Sequence, residues 1–174
     1  ILEGSKAFSK DLMKKYGIPT AGYENFDDPQ KALDYLHTQV KFPIVLKADG
    51  LALGKGVLIC NTLEEAEAGV KEIMEDKKFG SAGNTMVVEE FMTGREVSVL
   101  SYVDGKTIKI MSSAQDHKRA KDGDQGLNTG GMGNFSPSPF YTKEVDEFCQ
   151  KHIYQATVDA MAAEGRPFTG VIFF

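Results

Sequence analysis

The stretch from Pro43 to Cys60 constrains the fold most. Two short apolar runs, PIVLKA and VLIC, flank the segment DGLALGKG. Runs of this length bounded by glycine read as strands, and each glycine at 50, 54 and 56 would cost a helix about 1 kcal/mol. The chain is therefore expected to turn back here as a hairpin with a glycine-rich connection. Helical patterns surround the hairpin. Ser5 caps a helix carrying Ala7, Phe8, Leu12, Met13 and Tyr16, closed by Gly17 and Pro19. A second follows Asp28, with Pro29 at its first position and Ala32, Leu33, Leu36 and Val40 as its buried stripe. Thr62 and Glu65 form a capping box for a third, whose apolar face is Ala66, Val70, Ile73 and Met74.

Further on, TMVVEEF and EVSVLSYV read as strands, and Asp104-Gly105 turns the second into TIKIMSS. Residues 120–140 hold seven Gly and Pro residues and few apolar ones, which predicts a long loop. A last helix is expected over Thr142 to Glu164, with Val145, Phe148, His152, Ala156 and Ala160 toward one face. The closing TGVIFF reads as a strand cut midway and the first residue is Ile1, so both ends are expected to be excisions from something longer. The fold class is α+β.

A net charge of −5 and a pI near 5.3 exclude a general nucleic-acid or anionic-membrane surface, which needs clustered excess Lys and Arg. Cys60 and Cys149 lack the spacing of a zinc site or a disulfide framework, so a reducing, cytoplasmic setting is expected. No run approaches the roughly 20 apolar residues of a membrane span.

Three segments carry chemistry. In KADGLALGKG, glycines at 50, 54 and 56 offer bare N–H groups while Lys47 and Lys55 supply charge, the pattern of a phosphate-covering hairpin loop. It is not a Walker A loop, because the spacing is one residue short and Gly56 stands where Ser or Thr should bind magnesium. Nor is it a dinucleotide fingerprint, since a strand follows it. In VVEEFMTGREVS, a strand-to-loop hinge between Glu89 and Glu96 can offer backbone groups to a base and a later carboxylate to ribose hydroxyls. In SSAQDHKRAKDGDQGLNTGGMG, positive charge at 117–121 precedes Asn128, Thr129 and three glycines able to cradle a small anion, and Asp116, Asp122 and Asp124 interrupt any nucleic-acid patch.

These segments, in this order, resemble the ATP-grasp family, and more narrowly its glycinamide ribonucleotide synthetases. LEGSKAFSKDLM, KADGLALGKGV, VVEEF with GREVS, QDHKR and NTGGMGNFSPSP are similar to that family's successive motifs across essentially the whole chain. The resemblance implies two α+β subdomains clamping ATP, truncated at the C-terminus. Residues 1–88 would form the small, lid-like subdomain with its leading helix, and 89–174 part of the large one. Lys6 and Lys47 would neutralise ATP phosphates under the loop of Gly54 to Gly56. Glu89 and the adjoining Glu90, with backbone groups of Phe91 and Met92, would hold adenine, and Glu96 the ribose. Lys55, His117, Lys118 and Arg119 would be catalytic. Asp116, Asn128, Thr129, Gly130, Gly131, Met132 and Gly133 would line the pocket for glycine and phosphoribosylamine.

The implied cofactors are ATP with magnesium or manganese. The family's Glu and Asn metal ligands follow the GVIFF region and would lie beyond Phe174, so this chain is expected to bind ATP without turning over. Its partners would be small molecules only, with neither nucleic acid nor membrane, and it is expected to be a monomer. Another ATP-grasp carboxylate–amine ligase and a nucleotide-binding module without chemistry are the alternatives.

Overall fold

The computed structural model describes residues 1–39, 41–51, 56–123, 125–129 and 131–174. Val40, Gly54, Lys55 and Gly130, assigned above to a helix stripe, the glycine loop, catalysis and the substrate pocket, lie outside the described residues, as does the side chain of Asn128. The chain divides into two units, Ile1–Thr93 and Gly94–Phe174. Glu89 and Glu90 complete a strand of the first sheet and belong to the first unit.

In the first unit, α1 (Lys6–Tyr16) begins as its cap requires. Ser5 is extended and its hydroxyl accepts from the Phe8 N–H, while Gly17 closes the helix at φ +66. It is followed by β1 (Tyr23–Phe26), α2 (Pro29–Gln39), β2 (Ile44–Ala48), β3 (Val57–Cys60), α3 (Leu63–Val70) and β4 (Met86–Glu90). The four strands form one antiparallel sheet in the order β1-β4-β2-β3, with β2 and β3 as the expected hairpin. α3 continues into a π-helical turn, Lys71–Glu75, which buries Ile73 and Met74.

Alternation along the strands sorts the side chains. Ile44, Leu46 and Ala48 of β2 join Met86 and Val88 of β4 in a core closed by Ala32, Leu36, Ala66 and Val70 of α2 and α3. Removing a side chain such as Leu46, which is wholly buried, would cost about 2–5 kcal/mol. The same period of two sends Lys47 and Glu89 to the opposite face of the sheet, toward α1.

The second unit contains β5 (Leu100–Asp104), β6 (Ile108–Ile110), β7 (Gln115–Asp116), β8 (Arg119–Lys121), β9 (Gln125–Asn128), β10 (Asn134–Phe135), α4 (Lys143–Cys149), α5 (Gln155–Ala163) and β11 (Thr169–Phe173). β11, β5 and β6 make an antiparallel sheet, on which Val158 of α5 packs against Val103 and Ile172. EVSVLSYV is regular strand only from Leu100; before it, Ser98 makes an isolated bridge to Ala114. Much of the expected loop over 120–140 is folded. β8 pairs with β9, and β10 pairs with β7. These strands are polar and very short, so no hydrophobic alternation announces them.

The final helix also departs from expectation. Between α4 and α5 lies a π-helical turn, Gln150–Tyr154, and one such turn rotates the buried face relative to a regular helix. Ala160 is buried as expected, together with Tyr154, Thr157, Val158 and Met161, while Val145 and Phe148 are exposed. No helix among the described residues is long and apolar enough to cross a membrane.

Gly83 fixes the junction ahead of β4. A Cβ there would stand 2.0 Å from the Ile73 carbonyl oxygen. Gly83→Ala should therefore lower the urea midpoint by an amount equivalent to about 1–3 kcal/mol. Gly4→Ala, whose Cβ would meet only the Ile1 carbonyl oxygen at 3.8 Å, should stay within about 0.5 kcal/mol of the parent.

Candidate functional site

The first unit concentrates charge on the sheet face away from its core. Lys47 Nζ lies 2.7 Å from Glu89 Oε2, and Lys10 Nζ, from α1, lies 3.4 Å from Glu89 Oε1. Glu89 is only 6% exposed, so two flanking ammonium groups offset a large desolvation penalty. Lys10 also donates to Thr20 Oγ1 at 2.7 Å and to the Ala21 carbonyl at 3.3 Å. Lys6 Nζ donates to the carbonyls of Ala48 and Gly50, both at 3.0 Å, which seats it at the start of the glycine-bearing connection. Asp49 ties that point to α1: the Ser5 hydroxyl donates to its carboxylate at 3.0 Å and the Ala7 N–H at 2.7 Å.

Burial holds the Lys6 ammonium below the ordinary lysine value, with Asp49 opposing the shift. Burial lowers Lys10 in the same way, with Glu89 opposing. Glu90 is turned elsewhere: its Oε2 accepts from the Gly22 N–H at 3.3 Å, beside β1. Phe91 is half-buried and Met92 exposed at the end of β4. A cluster of this kind can meet phosphate oxygens with its lysines and an N–H donor with its carboxylate.

The second unit holds an open cavity of about 670 Å³ lined by Arg95, Glu96, Asp116, His117, Lys118 and Arg119, among others. Lys118 Nζ bridges Glu96 Oε1 and Asp116 Oδ2, each at 3.0 Å. Burial pulls its ammonium down, but the hydrogen bonds it donates to the two carboxylates outweigh that and hold Lys118 above the ordinary lysine value. Thr129, Gly131 and Gly133 bond along this wall. The Thr129 hydroxyl donates to the His117 carbonyl, and the Thr129 N–H donates to the Lys118 carbonyl at 3.0 Å. The Gly133 carbonyl accepts from the His117 N–H at 3.0 Å. Gly133, at φ +88, leaves room that a Cβ would take, 3.1 Å from His117 Cδ2.

Glu96, expected beside a nucleotide, thus shares one cavity with Asp116, His117, Lys118, Arg119, Thr129 and Met132. Gly131 supports it from behind, its N–H donating to Thr129 Oγ1 at 3.3 Å. Arg119 is partly spoken for, since its Nη1 donates to the Gly126 carbonyl at 3.0 Å. Sequence reasoning missed Lys10 and Arg95. Lys10 stands four residues after Lys6 on one helix face, a signal that counting only apolar positions overlooks. Arg95 lines the cavity with its guanidinium 4.2 Å from the centre of the Phe140 ring.

Residues 4–174 match the family described as phosphoribosylglycinamide synthetase, ATP-grasp (A) domain. The chain belongs to that family. It is 51% identical, over 172 residues, to the phosphoribosylamine–glycine ligase of Pasteurella multocida, a match covering 99% of this chain and 40% of that protein. The crystal structure of the Thermotoga maritima phosphoribosylamine–glycine ligase superposes with a TM-score of 0.85 at 36% identity, covering 99% of this chain and 43% of that one. The biotin carboxylase domain of the Hydrogenobacter thermophilus 2-oxoglutarate carboxylase, solved with MgADP and bicarbonate, superposes at 0.72 with 20% identity, covering 99% and 36%. That last likeness shows the fold alone. This ATP-grasp (A) domain therefore spans about 40% of the length of the curated relatives it matches.

Among the described residues of the ATP-grasp (A) domain, no three His, Cys, Asp or Glu side chains converge to hold a metal ion. The described residues therefore build no all-protein cage for a magnesium ion.

The lysines give a direct test. With labelled lysine side chains followed by NMR, Lys6 and Lys10 should lose their protons below the bulk of the lysines and Lys118 above it. Glu89→Gln should lower Lys10 further, because it removes the charge that opposes burial. Folded Lys6 and Lys10 hold protons less tightly than the unfolded chain does. Stability should therefore rise with pH from their depressed values up to the ordinary lysine value.

Proposed function

We propose that this chain is the ATP-grasp core of an ATP-dependent ligase joining glycine to 5-phosphoribosylamine, giving glycinamide ribonucleotide, ADP and phosphate in purine synthesis. The observation that carries the reading is the lysine pair on the two oxygens of buried Glu89, beside the glycine-bearing β2–β3 connection, in a chain of this family.

In this reading Lys6 and Lys47 meet the ATP phosphates, together with the segment of Gly54, Lys55 and Gly56. Glu89 accepts from the adenine amino group, with backbone groups of Phe91 and Met92 at the base edge and Glu90 bracing β1. Glu96 takes the ribose hydroxyls. Asp116, His117, Lys118, Arg119, Asn128, Thr129 and Gly130 to Gly133 serve glycine and phosphoribosylamine. A glycine carboxylate oxygen attacks the γ-phosphorus, the bond to the β–γ bridging oxygen breaks, and ADP leaves. The amine of phosphoribosylamine then attacks the acyl carbon of glycyl phosphate. Phosphate departs with the bonding pair, the nitrogen loses a proton, and an amide remains. Both steps gather negative charge and demand that water be kept from the acyl phosphate, which cationic side chains and a covering loop provide. Magnesium or manganese accompanying ATP, a cytoplasmic setting and a monomeric state belong to the same reading; two free thiols accord with the setting.

The test is ADP release by the whole enzyme. It should require glycine and phosphoribosylamine together, and Lys47→Met should weaken ATP affinity by about 10- to 100-fold. Turnover with a different carboxylate would instead indicate another ligase of the fold. ATP binding without any product would leave a nucleotide-binding module.

A further inference from the structure

Glu96 belongs to an irregular stretch ahead of the Ser98–Ala114 bridge, and its side chain is 56% exposed. Neither a strand ladder nor a helix fixes where its carboxylate points. A solvated glutamate of this kind gives up rotamer freedom when it binds, unless something already holds it. Among the described residues, Lys118 is the cation within ion-pair reach of it. The neighbouring cations are directed elsewhere: Arg95 lies on the Phe140 ring, and Arg119 donates to the Gly126 carbonyl.

The other carboxylate on Lys118 is better anchored. Asp116 pairs with Asn134 across β7 and β10, and its side chain is only 18% exposed. The backbone around Lys118 is held as well, since the Thr129 N–H donates to the Lys118 carbonyl and the His117 N–H to the Gly133 carbonyl. Position therefore passes from a paired strand through Asp116 and Lys118 to Glu96. The Lys118 ammonium meets Glu96 Oε1, and no described group occupies Oε2. Without the ammonium, two carboxylates that had shared one nitrogen repel each other, and Glu96, the more exposed, is the one that moves into solvent.

We propose that Lys118 is a positioning residue that holds Glu96 with one oxygen presented to a nucleotide sugar, so that the site prefers a ribonucleotide to a deoxynucleotide. This rests on the reading of Glu96 as the group that takes the ribose hydroxyls. Lys118 acts on the sugar through Glu96 alone, whatever else it does for glycine and phosphoribosylamine. Its pairing with Asp116 makes a mobile carboxylate into a fixed acceptor.

The experiment is a calorimetric titration of the whole enzyme with ATP, 2′-deoxy-ATP and 3′-deoxy-ATP. The parent should favour ATP over at least one deoxynucleotide by about 10-fold or more, the size of one charge-assisted hydrogen bond. Lys118→Met should bring that ratio to within about 3-fold of unity, chiefly by weakening ATP, while Lys118→Arg, which keeps a charged donor, should retain most of it. Glu96→Ala should abolish the preference, and adding Lys118→Met to it should change the ratio no further. Where Lys118→Met folds poorly, Lys118→Gln takes its place with the same expectation. A folded Lys118→Met or Lys118→Gln protein with the parent's ratio would overturn the proposal. So would a ratio that Lys118→Met still moves in the Glu96→Ala background, because Lys118 would then touch the sugar itself. A parent that binds all three nucleotides equally, or a Glu96→Ala protein that keeps the preference, would instead overturn the ribose reading of Glu96, and the proposal with it.

Discussion

A single buried carboxylate organises the first unit. Glu89 sits at 6% exposure with ammonium groups on both of its oxygens, an arrangement that the sheet and α1 must build jointly. The period of two in β2 and β4 brings Lys47 and Glu89 to one face, since Val45 pairs with Glu89 and Lys47 lies two residues on. Lys10 reaches them only because Ser5, Asp49 and Lys6 pin the start of α1 to the end of β2. Buried charge of this kind is a poor source of stability, because desolvation consumes much of the attraction. Its persistence at the end of a well-packed sheet is better explained by use than by strength.

The second unit follows the same logic in a wetter setting. Lys118 is 44% exposed in its side chain and sits between Glu96 and Asp116, so screening leaves each contact modest. What the bridge supplies is position: it ties the segment just after Gly94 to β7 across a cavity that Thr129 and Met132 also line. The backbone hydrogen bonds from His117 and Thr129 make that lining a small folded structure where a loose loop was expected.

Much of this was legible in the amino-acid order, and the exceptions share a cause. The β2–β3 hairpin, the Ser5 cap and the α3 face follow from glycine placement, capping chemistry and apolar spacing, which are local. β8 and β9 escaped because Arg119–Lys121 and Gln125–Asn128 carry no apolar alternation; the one local clue was Gly123, which takes φ +70 in their connection. Val145 and Phe148 fall off the buried face of the final helix, which Ala160 keeps, because a π-helical turn cannot be seen in a 3.6-residue count. Lys10 escaped for a different reason: an Lys on an amphipathic helix reads as solvated until a carboxylate from a distant strand is known to meet it. The site's acidic and basic residues could be named from motifs, but which of them neutralise one another could not.

Whether the Glu89 cluster is a nucleotide site decides what the first unit does. A calorimetric titration of Glu89→Gln beside the parent with ATP, at low and at moderate salt, addresses that directly. The parent should show saturable one-to-one binding that weakens with salt, and the variant a loss of about 10-fold or more, in keeping with one charge-assisted hydrogen bond. Binding that is indifferent to Glu89→Gln would contradict a nucleotide site there, because the buried carboxylate would then serve only the fold.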